Sequence, residues 1–222
     1  MTDHTAGSVR IVVKLGGSFL RDPSRLAAAV DVVNALPRDA GLLIVPGGGP
    51  FADAVRDADR ALRFGDEAAH WMAVLAMDQV AHILTERLDR ATLVETQHEI
   101  DGVAGTGRPV LAPYRLLRAA DALPGALPHT WDVTSDSIAA WFAGQLGARC
   151  LVLVKTVAPA AGGLRDLVDP YFGLALPSGV TGSAVTLDQL ADAVRRDDAG
   201  PAAGARGTAH PHDVRLEGSG TR

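Results

Sequence analysis

The sequence predicts an α/β protein, a three-layer α/β/α sandwich whose central sheet is mainly parallel. Apolar segments of strand length alternate along the chain with longer segments of helical character, a pattern typical of strands that helices cover on both faces. Glycine-rich turns follow the first two apolar segments, as expected at the carboxyl edge of such a sheet. A chain of 222 residues, 47% of them hydrophobic, can form one sizeable core.

The first elements follow from apolar runs and helix-start signals. Residues 9–15 and 42–45 are mostly apolar and β-branched, and each segment predicts a buried strand. Between them, Asp22 as an N-cap and Pro23 in the first turn predict a helix that ends near Leu36.

The middle of the chain is predicted to contain two helices, a strand and a loop. The helices cover about 51–63 and the segment from Asp66 to about Arg90, and the strand covers 92–95. The longer helix is expected to contribute five core side chains, namely Trp71, Val74, Leu75, Ala81 and Leu88. Residues 97–108 are rich in glycine and are predicted to form a loop.

The same alternation continues almost to the end of the chain. We predict, in order, a short strand at 110–112, helices over 114–123 and about 136–147, a strand over 150–155, and a helix over 187–196 that Thr186 caps. Residues 9–196 are therefore expected to form one domain. Residues 1–8 are expected to be a flexible N-terminus, and residues 197–222, which lack periodicity, a disordered tail.

Composition excludes several classes of function. A net charge of −5 without a basic stripe, and only 5% aromatic residues, argue against a nucleic-acid partner. The single Cys150 forms no internal disulfide and completes no metal cluster, so no side chain is predicted to be a metal ligand. The chain has neither an apolar signal segment nor a run of about 20 apolar residues, so we expect a soluble cytoplasmic protein without membrane contact.

Lysine is rare in this chain and stands at two informative positions. The only two lysines, against nineteen arginines, are Lys14 and Lys155, and each ends a predicted strand. Lysine is a compact point charge, whereas arginine is a wide planar fork. A compact cation at the carboxyl end of a strand is suited to a transferring phosphoryl group. Compositional bias is the alternative explanation of this placement.

The two glycine turns indicate an anion site. Lys14-Leu15-Gly16-Gly17-Ser18 and Gly47-Gly48-Gly49 each lie between a predicted strand and a helix, where backbone N–H groups can approach phosphates. Tight connections are the structural alternative, although three consecutive glycines cost conformational entropy that a simple turn rarely requires. Neither turn completes the dinucleotide fingerprint or a P-loop.

A third motif, Asp132-Val133-Thr134-Ser135-Asp136-Ser137, opens the helix that precedes the strand of Lys155. Asp136 is either a plain N-cap or a carboxylate that faces the same cleft as Lys155. The order of the elements favours the second interpretation, because the helix leads directly into that strand.

Together, these motifs resemble the amino acid kinase family over about residues 9–196. The resemblance is carried by Lys14-Leu15-Gly16-Gly17-Ser18, Gly47-Gly48-Gly49, and Thr134-Ser135-Asp136 followed by Ile138-Ala139-Ala140. Within the family, the chain is similar to a subgroup that phosphorylates an aminomethyl-furan-methyl phosphate on the route to methanofuran-type cofactors. This finer similarity is carried by Asp66-Glu67-Ala68-Ala69-His70-Trp71-Met72 and Ala76-Met77-Asp78-Gln79.

The resemblance implies a kinase of the amino acid kinase fold that uses ATP and Mg²⁺ and a small phosphorylated acceptor. It implies that Lys14, Gly16, Gly17, Ser18 and the amides of Gly47, Gly48 and Gly49 hold the acceptor and the transferring group. It implies that Asp136 organises Lys14 and Lys155 or Mg²⁺, and that Lys155 lies near the ATP phosphates. Thr134 and Ser135 are expected to contact substrate. His70 is a candidate for the acceptor phosphate, and Glu67 or Asp66 for an amine.

Two departures from the family pattern keep other functions open. The usual Asp-Gly turn is missing after the second lysine, where the sequence is Lys155-Thr156-Val157-Ala158-Pro159. The further lysine that larger members carry downstream is also missing, and Arg165 is the candidate to replace it. A non-catalytic nucleotide-binding storage or regulatory protein of the same fold is one alternative. An unrelated α/β binding module, whose glycines are only turns, is another. We also expect a homo-oligomer formed through the helix at 66–90.

Overall fold

A computed structural model describes residues 9–158 and 163–198. Within them, six strands form one sheet in the order β3-β4-β2-β1-β5-β6, and every neighbouring pair is parallel. The strands are β1 (Ile11–Leu15), β2 (Leu42–Pro46), β3 (Ala91–Val94), β4 (Arg108–Leu111), β5 (Cys150–Val154) and β6 (Thr181–Val185).

Helices cover both faces of this sheet, which confirms the three-layer α/β/α class. They are α1 (Pro23–Asn34), α2 (Gly49–Leu62), α3 (Asp66–Arg87), α4 (Gln97–Val103), α5 (Tyr114–Ala120), α6 (Ser135–Gln145), α7 (Phe172–Ala175) and α8 (Leu187–Asp198). Short 3₁₀ helices lie at Gly17–Arg21 and Gly163–Leu167. One core packs α3 to α7 against one face of the sheet, and a second packs α1, α8 and the end of α3 against the other face.

The register of the central strands brings the predicted motifs together. Leu15 at the end of β1 pairs with Pro46 of β2 on one side and with Val154 of β5 on the other. All three strands are fully buried along their length. The segments that follow them therefore leave one edge of the sheet side by side, which is where ligands bind in open α/β folds.

Several sequence-based expectations are wrong. Residues 97–108 are not a loop throughout, because Thr96 and Glu99 form a capping box that starts α4. Strand β6 and helix α7 were not predicted. Leu75 is 40% exposed and does not belong to the core.

Both predicted chain ends lie largely outside the described residues. Helix α8 extends to Asp198, so the first two residues of the predicted tail are helical. The expectations for residues 1–8 and for residues 199–222 concern segments that the structure does not describe. In the described residues, no helix is long and apolar enough to cross a membrane.

Candidate active site

A cavity of about 250 Å³ opens at the carboxyl edge of the sheet. Its floor is formed by the two glycine turns together with Lys14 and Lys155. Its walls come from the first turns of α2, α3 and α6 and from the segment that leads into α6. Apolar side chains line much of the wall, among them Ala52, Ala73, Val74, Met77, Val133 and Ile138.

The glycines in the floor are required by the way the two turns pack. A Cβ atom on Gly17 would lie 2.1 Å from the backbone nitrogen of Gly49, so no larger residue fits there. Gly49 also has a φ of +53°, in the left-handed region that favours glycine. The two turns thus meet backbone to backbone, and the Gly47 N–H donates to the Leu15 carbonyl at 2.8 Å.

Three helix N-termini point into this cavity. Gly48, Gly65 and Thr134 precede α2, α3 and α6, and none of them caps its helix with its own side chain. The first N–H groups of a helix lack intrahelical partners and carry a partial positive charge. Only α2 has no acidic side chain in its first turn, so its N-terminus favours an anionic ligand. The first turn of α3 carries Asp66 and Glu67, and that of α6 carries Asp136.

One carboxylate joins the two lysines. The Lys14 Nζ lies 2.9 Å from Asp136 Oδ1, and the Lys155 Nζ donates a hydrogen bond of 2.7 Å to Asp136 Oδ2. Lys14 and Asp136 are each only 5% exposed. Asp136 lies in the first turn of α6 and does not act as its N-cap, so the simple capping interpretation is wrong. The structure places the two ammonium groups in one site.

The pKa values of Asp136 and Lys155 are both lowered, for different reasons. Burial opposes ionisation of Asp136, but the two neighbouring ammonium groups outweigh it and lower the pKa of Asp136 below its ordinary value. Burial and repulsion by Lys14 lower the pKa of Lys155, and Asp136 offsets this only in part. Asp136 is therefore ionised at neutral pH.

Asp169, which sequence reasoning missed, caps α6 from a distant part of the chain. Its carboxylate accepts hydrogen bonds from the backbone N–H of Thr134 and of Ser137, both at 3.0 Å, and from both hydroxyls. Two residues earlier, the Leu167 carbonyl accepts a bond of 2.6 Å from Lys155 Nζ. This short segment thus fixes both Lys155 and the start of the helix that carries Asp136.

His70 lines the cavity from α3 and is only 7% exposed. Its ring stacks on that of His129 with centroids 4.4 Å apart, and His129 contacts the Asp121 carboxylate at 2.8 Å. Burial, together with His129, lowers the pKa of His70 to about 4. The imidazole is therefore neutral at pH 7 and brings no positive charge to an acceptor phosphate.

The mouth of the cavity contains charged and aromatic residues that no sequence motif indicated. Asp53 pairs with Arg21 at 2.5 Å and with Arg56 at 3.4 Å. The Arg56 guanidinium lies 4.8 Å from the centroid of the Trp131 ring, whose N–H donates to Asp59. Only the i, i+3 spacing of charges along α2 hinted at this network.

The remaining predicted site residues fall into two groups. Gly16, Gly17, Ser18, Gly48, Gly49, Thr134 and Ser135 line the cavity. Gly47 lies behind it, against Gly17 and the Ser135 hydroxyl. Glu67 is exposed and does not line the cavity, because successive helical residues point about 100° apart. Its neighbour Asp66 does line it.

Comparison with known proteins identifies a family over most of the chain. The model of the amino acid kinase family matches residues 9–159. The (5-(aminomethyl)furan-3-yl)methyl phosphate kinase of Methanocaldococcus jannaschii is 29% identical over 151 residues. That match covers 66% of this chain and 65% of the relative, so it spans less than two thirds of the relative's length.

Solved structures share the fold. The uridylate kinase of Archaeoglobus fulgidus matches with a TM-score of 0.61 at 14% identity, covering 84% of this chain and 96% of that one. The UMP kinase of Bacillus anthracis matches with a TM-score of 0.58 at 13% identity, covering 85% of this chain and 91% of that one. At this identity the likeness concerns the architecture.

Proposed function

The chain belongs to the amino acid kinase family, and from this premise we propose that it transfers the γ-phosphoryl group of ATP to a small phosphorylated acceptor. The observation that supports this most directly is the pair of lysines held by one buried carboxylate beside a cavity. Membership of the family also excludes the unrelated α/β binding module.

The arrangement of charges suits a reaction that needs positioning and charge neutralisation. In phosphoryl transfer, negative charge is spread over the transferring group and the leaving oxygen. Lys14 would contact the transferring group, and Lys155 would contact the phosphates of the donor. Asp136 would hold both ammonium groups in place, because each of its two oxygens contacts one of them. Preorganised charges of this kind act most strongly where water is excluded.

A phosphate monoester is the proposed class of acceptor. Its second pKa is about 6, so it is mostly dianionic at neutral pH and needs no general base. This agrees with the role of Asp136, whose lowered pKa makes it a poor base. The N-terminus of α2 and the turn at Gly16–Ser18 would bind the acceptor phosphate.

The size and walls of the cavity favour a compact, weakly polar acceptor skeleton. Ligand pockets usually measure about 300–1,000 Å³, so this cavity of about 250 Å³ is small. The relative from Methanocaldococcus jannaschii is named for a phosphate ester of a furan ring. An aminomethyl-furan-methyl phosphate is accordingly our proposed acceptor, and its diphosphate the product, on a route to a methanofuran-type one-carbon cofactor.

Magnesium would enter with the nucleotide. Among residues 9–158 and 163–198, no group of three or more His, Cys, Asp or Glu side chains could hold a metal ion. Phosphate oxygens are common Mg²⁺ ligands in kinases, and Mg²⁺ usually retains several waters. The ion is therefore proposed to bind mainly to ATP, where it would neutralise the charge of the phosphates.

A panel of phosphate-bearing acceptors tests this function. Purified protein with ATP and Mg²⁺ would be assayed for ADP production in the presence of aminomethyl-furan-methyl phosphate, uridylate or no acceptor. We expect ADP to form with the furan phosphate well above the background without acceptor. ADP production with uridylate but not with the furan phosphate would contradict the proposed acceptor and assign uridylate in its place.

A non-catalytic nucleotide-binding protein is the second candidate, and the missing Asp-Gly turn after Lys155 favours it. Calorimetry separates the two candidates. Binding of Mg-ATP without ADP production from any acceptor would support the storage or regulatory protein. The absence of Mg-ATP binding would contradict both.

A further inference from the structure

Two side chains on one face of α3 line the same cavity, and neither has a hydrogen bond or an ion pair within the described residues. Asp66 and His70 are four residues apart, so they lie one turn from each other on the same side of the helix. Both line the cavity, together with Ala69 between them and Ala73 one turn further on. This wall is separate from the lysines, which enter from the strand ends.

Asp66 has a carboxylate that no cation neutralises. Two carboxylates line the cavity, Asp53 and Asp66. Asp53 is paired with Arg21 and Arg56. Within the described residues, Asp66 has neither an ion pair nor a side-chain hydrogen bond. Asp66 is exposed, as Glu67 is, but it lines the cavity, where its unpaired negative charge attracts a cation.

His70 supplies a second acceptor beside this carboxylate. It is more than nine-tenths buried and has no hydrogen-bond partner among the residues that the structure describes. A neutral imidazole has one nitrogen that accepts a hydrogen bond and one that donates. Burial and the stacked His129 keep the pKa of His70 far below neutrality, so the accepting nitrogen is retained at pH 7.

We propose that Asp66 and His70 form an ammonium-binding subsite that selects acceptors carrying a primary amine. This inference rests on the proposed function, because it assigns one end of the proposed acceptor. A primary ammonium group offers three N–H donors and one positive charge. The Asp66 carboxylate would neutralise the positive charge and accept one hydrogen bond from the ammonium group. The His70 imidazole would accept a second hydrogen bond.

The position of this subsite also sets the orientation of the acceptor. The phosphate end must reach the glycine turns and Lys14, and the ammonium end would lie against the first turn of α3. Both groups line the same cavity, so a compact molecule would be held at both ends. A phosphate at Asp66 would instead be repelled, which prevents the reversed orientation.

Calorimetry with two matched ligands tests the subsite by binding alone. The ligands are aminomethyl-furan-methyl phosphate and its hydroxymethyl analogue, which has the same shape without the charge. We expect the wild-type protein to bind the amine at least about tenfold more tightly, a difference of about 1.4 kcal/mol. Asp66→Asn should abolish this preference by weakening amine binding and leaving the hydroxymethyl analogue unaffected.

Two further variants make the result specific. His70→Phe keeps a ring in the stack while removing the acceptor, and should reduce the preference. Asp57→Asn is the matched control, because Asp57 is an exposed carboxylate on α2 that pairs with Arg60 and does not line the cavity. It should bind both ligands as the wild type does.

Equal binding of the two ligands by the wild-type protein, or an undiminished preference in Asp66→Asn, would overturn the ammonium subsite. A different result would contradict the kinase proposal, namely that neither ligand leads to ADP production from Mg-ATP. A preference for the amine without turnover would support the subsite and contradict the catalytic function.

Discussion

At the scale of single residues, the proposed chemistry depends on one carboxylate that contacts both lysines. Asp136 and Lys14 are almost fully buried, and the chain has no other lysine than these two. Lysine pairs in proteins are usually separated, because like charges repel when water is excluded. The shared carboxylate offsets this repulsion, and a bound polyphosphate would offset it further.

Removal of the Lys14 charge should therefore affect catalysis more than folding. Lys14→Met keeps the length of the side chain, and we expect kcat to fall by about 10²–10³-fold, as for the loss of one preorganised charge donor. The far-ultraviolet circular dichroism should stay that of the wild type. Lys14→Arg should not restore turnover, because a wide planar guanidinium that pairs with Asp136 through two N–H groups does not supply the compact point charge of the ammonium group. Wild-type turnover in either variant would contradict the assigned role.

The lowered pKa of Lys155 predicts a pH limit on turnover. A lysine whose pKa is lowered loses its proton at a lower pH, so the charge needed for the donor phosphates disappears below the ordinary value of 10.5. The alkaline limb of the kcat profile should thus lie below pH 10.5. Asp136 has a lowered pKa and remains ionised down to below pH 3.8, so it adds no acid limb near neutrality. A kcat that stays constant beyond pH 10.5 would contradict this account.

At the scale of elements, the first turns of α2, α3 and α6 and the two glycine turns shape the site. The glycine turns are explained by their backbone contact, and α6 is explained by the remote cap that Asp169 provides. Sequence motifs located the turns, since Gly-Gly after an apolar strand is a local signal. They did not reveal Asp169, because its partners are 32 and 35 residues away along the chain.

Asp169 is predicted to position the catalytic cluster. Asp169→Asn removes a negative charge that raises the pKa of Lys155. The alkaline limb of the kcat profile should therefore move to lower pH than in the wild type, and kcat should fall. Simple destabilisation would lower the melting temperature without moving this limb. Asp166→Asn, an exposed aspartate of the same segment, is the matched control and should leave the profile unchanged.

The packing of the turns makes Gly17 intolerant of any side chain. Gly17→Ala places a Cβ atom 2.1 Å from the Gly49 nitrogen, so both turns must separate. We expect a lower melting temperature and an acceptor affinity reduced by at least about tenfold. Gly102→Ala provides the control, because nothing lies near that position in α4 and alanine favours a helix by about 0.5–1 kcal/mol. Equal behaviour of the two variants would contradict the backbone contact.

At the scale of the whole molecule, the sequence predicted the architecture better than the details of the site. Continuous apolar strands are local signals, and they predicted the sheet and its layers. Strand β6 was missed because Thr181, Gly182 and Ser183 are polar or small. The mouth of the cavity was missed because Arg21, Asp53 and Trp131 meet only in the folded chain.

The expected homo-oligomer stays a prediction at this scale. Met72 and Leu75 are each 40% exposed on α3, on the side away from the cavity. Light scattering should give a mass above that of the 23.0 kDa chain, and Leu75→Glu should reduce it. A wild-type protein that scatters as a monomer would contradict this expectation.

Phosphorus NMR of the reaction mixture tests the central claim most directly. With aminomethyl-furan-methyl phosphate, ATP and Mg²⁺, the wild-type protein should replace the singlet of the phosphate ester with two coupled doublets of a diphosphate, while ADP accumulates. Lys14→Met should leave the singlet in place over the same time. A persistent singlet with the wild-type protein, or coupled doublets formed equally fast by Lys14→Met, would contradict phosphoryl transfer at this lysine pair.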